Sequence, residues 1–240
     1  MESLWEAIFC AVRIQDGDAV QAWREHDALL SEKCEILNKY QFTELHYENE
    51  AGTDFRVGLV KNHIWEGGSE ESGSGVRFIA NMPTEEVFTM PDYRKAEGKV
   101  VSSRPLSYRG NLIKDFSLTF HEGKVVDFDA REGYDALKQL LDTDEGSKSL
   151  GEVALVPYAS PISEMGILFY NTLFDENASC HLALGECYPT TVQDGEKMNE
   201  EELHQIGGNH SINHVDFMIG TKDMKITGIT EDGKEIPVFI

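Results

Sequence analysis

The chain has 240 residues, 43 of them acidic against 21 basic, for a formal net charge of -22. That imbalance argues against nucleic acid and anionic membrane surfaces as partners, since both are bound through a basic face. Hydrophobic residues at 40% and aromatics at 10% exclude a disordered chain and fit a globular one with a sizeable core.

In chain order, Leu4, Ile8 and Val12 recur every four residues and predict a helix to about Ile14. Asp16-Gly17-Asp18 breaks it, and Asp18 with Gln21 reads as a capping box. The second helix should then run to about Tyr40, with Val20, Trp23, Leu30 and Leu37 on its buried side. Short strands follow at 45–47, 55–59 and 76–80, separated by a Gly- and Ser-rich segment, 66–75, expected as a mobile loop. Further strands are expected at 99–102, 112–120 and 125–128. The last two form a hairpin about His121-Glu-Gly123, with Leu118, Phe120, Val126 and Phe128 turned inward. An amphipathic helix over about 133–141, buried strands at 153–156 and 214–219, and an Asp-Gly hairpin spanning 225–238 complete the sequence. Helices first and strands after predict an α+β fold: two N-terminal helices, then a mixed, largely antiparallel sheet domain. No repeat or long linker divides the chain, so residues 1–240 are expected to form a single domain.

Cys10, Cys34, Cys180 and Cys187 show no CxxC spacing, and no signal-peptide pattern opens the chain. They read as reduced thiols of a cytoplasmic protein. No apolar run approaches the roughly 20 residues needed to span a bilayer.

The chemistry concentrates in a few segments. His214 and Asp216 lie two apart in an apolar run, so on a strand both leave the same face. His181 lies in a second apolar stretch, Glu152 opens a third, and Glu86 follows a turn at 81–85. Histidines and carboxylates buried together need pairing or a cation. Three carboxylates and two neutral imidazoles exceed the needs of one tetrahedral zinc and suit two divalent ions sharing a carboxylate. By itself this constellation points to a hydrolase of unspecified reaction. Asp175-Glu176-Asn177 lacks the spacing of a calcium loop and reads as a helix start leading into a helix that presents His181. Cys180 and Cys187 flank His181 without the setting of a nucleophile.

Five segments together carry a resemblance. They are Asn81-Met-Pro-Thr-Glu-Glu-Val-Phe88, Gly151-Glu-Val-Ala-Leu-Val-Pro157, Ser160-Pro-Ile-Ser163, the long run Phe169 to Gly185, and His214-Val-Asp-Phe-Met-Ile-Gly220. They resemble the catalytic region of the M29 metallo-aminopeptidases, over essentially the whole chain. The resemblance implies a dinuclear site at the strand ends, with Glu86, Glu152, His181, His214 and Asp216 as ligands; of these, Glu152 is the one we expect to bridge. It also implies catalytic roles for Glu152 and for Tyr188, the tyrosine seven residues after His181. Implied cofactors are two divalent metal ions (zinc, cobalt or magnesium), the implied substrates are peptides cleaved at the N-terminal bond, and a homodimer is expected. Family members are longer, with a further N-terminal domain that this chain would lack. A metal-binding remnant without activity, or a two-metal hydrolase of another amide or ester, stays open as an alternative.

Overall fold

A computed structural model describes residues 2–14 and 17–238. Met1, Gln15, Asp16, Phe239 and Ile240, and with Asp16 the first member of the expected Asp16-Gly17-Asp18 break, lie outside the described residues. The first helix, α1 (Glu2–Ala11), ends short of the expected Ile14, where Arg13 adopts a left-handed conformation, φ 57°. In α2 (Ala19–Tyr40) Asp18 caps the first turn by accepting from the Val20 and Gln21 amides. The Gln21 side chain does not complete the box; it donates to Glu25 instead. Trp23, Leu30 and Leu37 are buried as expected, whereas Val20, on the first turn, faces solvent.

The larger sheet contains β1 (Glu44–Glu48), β2 (Asp54–Leu59), β6 (Pro91–Val101), β7 (Leu106–Tyr108), β8 (Asn111–His121), β9 (Lys124–Glu132), β13 (Lys225–Ile229) and β14 (Glu235–Pro237). Its order is β14-β13-β1-β2-β6-β8-β7, with β9 also on β8. The smaller sheet runs β12-β11-β10-β5, formed by β12 (His214–Met218), β11 (His181–Gly185), β10 (Leu150–Leu155) and β5 (Val87–Thr89). The segment expected as a mobile loop instead contributes β3 (Ser69–Glu71), paired with β4 (Arg77–Ile79). Arg77 and Asp27 of α2 pin it, both bonded to Ser69. Every strand pairing among the described residues is antiparallel, within the expected α+β class. Helix α3 (Tyr134–Leu141) buries Leu137 and Leu140 beside β8 and β9. The short α4 (Pro161–Met165) and α5 (Thr172–Glu176) connect β10 to β11.

At the β8–β9 turn, Glu122 and Gly123 both have positive φ, 47° and 81°, the backbone of a two-residue hairpin. A Cβ on Gly123 would fall 1.9 Å from the Tyr93 carbonyl oxygen, so only glycine fits. A bulge between Thr119 and Phe120 then sets Phe120 opposite Val125, and Val126 points outward, contrary to the expected pattern. One extra residue in a ladder transfers a side chain to the other face.

One continuous core joins the two sheets, from Leu45, Phe55 and Leu118 to Val153, Leu182 and Phe217. The Phe116 and Phe217 rings, 5.9 Å apart, bridge them. The antiparallel register sorts the small sheet by face: Val87, Val153, Leu155, Leu182, Leu184, Val215 and Phe217 belong to the core side. The alternate residues look away from the core, and they carry the chemistry.

Candidate metal centre

On that outer face the pairs Glu152–Ala183 and Ala183–Asp216 stand opposite one another on three adjacent strands. His181 lies opposite Ala154, and His214 opposite Gly185. The ionisable groups thus rise around a floor of Ala154, Ala183 and Gly185, whose small side chains leave the space above them open. Glu152 reaches this face through a bulge at Gly151. A Cβ on Gly151 would meet the Glu186 and Gly185 carbonyl oxygens at 2.1 and 2.4 Å, so the close backbone approach that aims Glu152 requires glycine. Glu86 directly precedes β5.

The five groups singled out from the sequence converge. Glu86, Glu152 and His181 form one trio and Glu152, His214 and Asp216 a second, with the donor atoms of each within 4.8 Å of one another. His181 Nε2 is 2.9 Å from Glu86 Oε2 and 3.5 Å from Glu152 Oε1. His214 Nε2 is 3.5 Å from Glu152 Oε2 and 3.3 Å from Asp216 Oδ1. Each oxygen of Glu152 therefore faces a different trio. Donors about 2.0–2.2 Å from a tetrahedral cation stand about 3.4 Å apart, which is the spacing seen here.

Both imidazoles have their tautomer set from behind. His181 Nδ1 donates to the Ser179 carbonyl at 3.1 Å and His214 Nδ1 to the Glu186 carbonyl at 2.8 Å. Each Nε2 lone pair then points at carboxylate oxygens, the orientation of a metal-ligating histidine held by a carbonyl. His181 Nε2 and Glu86 Oε2 are buried and have no hydrogen-bond partner. Two lone pairs facing each other in a buried site require a proton or a cation between them. If protons fill that role, they are held tightly. Burial disfavours the charged form of His214, but Asp216 and Glu152 outweigh it and raise its pKa to about 11. His181 is likewise raised against the effect of burial, by Glu152 and Glu86. Asp216 is lowered despite burial, chiefly by His214. The imidazole and carboxylate donor set fits divalent transition metals.

Glu176, read from sequence as part of a helix start, is a sixth member. It ends α5, lines the same cavity and shares a hydrogen bond with Asp216; burial, then Asp216 and Glu86, push its pKa up to about 10. With it, four carboxylates match the charge of two divalent cations. His181 does not follow on a helix as expected: it opens β11, where Cys180 is fixed by bonds between its thiol and the Val156 backbone. Those bonds occupy Cys180 on the far side from the cluster. Glu85 also turns away, toward Arg13.

A cavity of about 950 Å³ opens over the cluster, lined by Glu86, Glu152, Glu176, His214, Asp216 and Tyr188. Tyr188 is 44% exposed, with its ring 4.7 Å from His214 and 5.8 Å from Phe88. Burial and the surrounding carboxylates raise its phenol pKa, so the hydroxyl keeps its proton as a donor. Farther out, Glu66, Glu70, Glu71, Asp194 and Glu196 make the wall acidic.

A buried imidazole and carboxylate cage of this kind, on an antiparallel sheet beneath an open cavity, has the donor set of a divalent-metal site. The chain belongs to the M29 family of thermophilic metalloproteases, whose family model matches residues 1–240. It is 53% identical over 239 residues to Aminopeptidase 2 of Geobacillus stearothermophilus, covering 100% of this chain and 58% of that protein. It is 55% identical over 236 residues to aminopeptidase AmpS of Bacillus subtilis (strain 168), covering 98% and 57% of the two chains. Among solved structures, wild-type AmpT from Thermus thermophilus superposes with a TM-score of 0.90 at 43% identity, over 99% of this chain and 57% of that one. The chain thus spans less than two thirds of the length of these relatives. Among the described residues no helix is long and apolar enough to cross a membrane.

Proposed function

We propose that the chain is the catalytic domain of a metal-dependent aminopeptidase that releases the N-terminal residue of a peptide. Glu86, Glu152 and His181 would hold one divalent ion, Glu152, His214 and Asp216 the other, with Glu176 beside them and zinc, cobalt or magnesium as occupants. Bound there, the ions supply Lewis-acid polarisation of a carbonyl and lower the pKa of water toward about 7. The chain's own part is positional and electrostatic. Glu152 joins the two halves of the cage through its two oxygens. The Tyr188 hydroxyl donates to the oxygen that gains charge as the amide carbon becomes tetrahedral, a contribution worth about 2.7–4 kcal/mol for one such donor. The acidic wall favours a peptide's free α-ammonium over a blocked terminus.

The observation that carries this reading is the pair of donor trios sharing Glu152 in a chain of the M29 family. The test is release of free amino acid from a peptide panel with added cobalt or zinc. Turnover of free but not N-acetylated peptides, abolished by a chelator and by Glu152→Gln, is the expected result. Bound metal without turnover would favour an inactive metal-binding remnant, and turnover of non-peptide amides or esters alone would favour a different hydrolase. A homodimer and a cytoplasmic location belong to the same reading, the first checked by sedimentation and the second by cell fractionation.

A further inference from the structure

Glu86 lies on no regular element. It ends a turn between β4 and β5, where burial most of all opposes its charge, His181 at 2.9 Å favours it, and the carboxylates of Glu152 and Asp216 oppose it. With no helix or ladder of its own to aim it, Glu86 keeps its place against His181 through the residues on either side. After it, Val87 pairs with Leu155 in the ladder of β5 and β10; before it, three side chains hold Thr84 and Glu85. His26 Nε2 of α2 donates to the Thr84 carbonyl at 2.7 Å. The Glu85 amide donates to Asn177 Oδ1 at 2.6 Å, one residue beyond Glu176. Arg13 Nη2 donates to both Glu85 carboxylate oxygens, at 2.7 and 2.6 Å.

The Arg13 end of this brace is itself fixed. The Arg13 and Ile14 amides close the last turn of α1 onto the Cys10 and Phe9 carbonyls, and Trp23 Nε1 donates to the Val12 carbonyl at 2.7 Å. The Glu85 side chain is 4% exposed and that of Arg13 27%, so the pair is screened little by solvent on the carboxylate side. Arg13 thus connects the helical N-terminal layer to one half of the metal cage. The other half, His214 and Asp216 on β12, has support of its own: His214 Nδ1 donates to the Glu186 carbonyl at 2.8 Å.

We propose that Arg13 is a positioning residue for Glu86, and that it governs one of the two cation sites and not the other. This rests on the reading of Glu86 and His181 as ligands. The test uses the full chain and zinc alone as probe, with bound equivalents counted by equilibrium dialysis and affinities taken by chelator competition, on wild type, Arg13→Met, Arg13→Lys and Glu86→Gln. Wild type should bind two equivalents and Glu86→Gln one. Arg13→Met should weaken one site by about 10–100-fold, the usual effect of losing a group that orients a ligand, and leave the other unchanged. Arg13→Lys should recover most of the loss. If Arg13→Met does not fold, Glu85→Gln, which weakens the same contact, should produce the same one-site loss. Both sites unchanged in the Arg13 and Glu85 variants would overturn the proposal, as would both weakened equally, which signals general loosening. Wild type without zinc, or Glu86→Gln without loss, would instead sink the ligand reading and the proposal with it.

Discussion

Ala183 is the residue on which the geometry of the cage bears most heavily. It is fully buried, and it stands between Glu152 and Asp216 in one cross-strand row. Adjacent strands are about 4.8 Å apart, so the backbones of Glu152 and Asp216 are separated by nearly 10 Å. Their side chains nonetheless both come within 3.5 Å of His214 Nε2, by leaning together over the alanine methyl. Ala183→Val puts two further methyl groups into that space. Overpacking of this kind costs about 1–3 kcal/mol. Carried by the bound state, 2 kcal/mol corresponds to roughly 30-fold in zinc affinity. Carried by folding, it lowers the melting temperature by about 2–4 °C per kcal/mol in a chain of this size. Equilibrium dialysis with zinc and a melting curve on the same samples separate the two. Ala183→Val should lose affinity at both sites with a modest fall in melting temperature. Leu184→Ala, on the core face of the same strand, should cost about 2–5 kcal/mol of stability and keep its metal. Wild-type affinity in Ala183→Val, or metal loss in Leu184→Ala while still folded, would refute the assignment of faces.

Tyr188→Phe should lower kcat by about 10²–10³-fold with zinc content and KM little changed, measured by steady-state peptide hydrolysis. Metal binding should displace protons from His214 and Glu176, whose pKa values are raised to about 11 and about 10. Zinc affinity should therefore rise with pH between 6 and 8, with at least one proton released per ion by calorimetry in buffers of different ionisation enthalpy. Because both pKa values lie above their unfolded values, the metal-free chain binds more protons folded than unfolded and should lose stability as pH rises from about 5 toward 10, the reverse of the zinc-bound trend. Asp144 holds the loop before His214 through the Ser147 and Ile212 amides and the Ser211 hydroxyl. Burial opposes ionisation of Asp144, but these bonds bring its pKa to about 2. Its contribution is present above pH 4 and lost as pH falls through about 2, so Asp144→Ala should cost about 1 kcal/mol at pH 7, allowing for partial exposure, with the gap closing at acid pH in denaturant melts.

Much of this arrangement was legible in the residues. Alternation in His214-Val-Asp-Phe-Met put the imidazole and carboxylate on one face because a strand has period two, and β12 obeys it. His181-Leu-Ala-Leu-Gly has the same alternation, but five residues are too few to separate strand from helix by period alone. The preceding Asp-Glu-Asn suggested a helix, which closes at Glu176, five residues short of His181. Glu176 escaped notice because its chemistry comes from the fold. Nothing local distinguishes it from a capping carboxylate until α5 sets it beside Asp216. The inward reading of Val126 failed for another reason, since a single bulge in β8–β9 reverses a face without leaving a mark in the hydrophobic pattern. The brace from Arg13 to Glu85 spans 72 residues and had no local signal.

The central claim, one glutamate serving two cations at once, is tested most directly by counting bound zinc per chain in wild type, Glu152→Ala, Glu86→Ala and Asp216→Ala. Two equivalents in wild type, none retained tightly in Glu152→Ala and one in each of the other variants is the expected result. A wild type that binds one ion, or a Glu152→Ala variant that keeps one at full affinity, would contradict it.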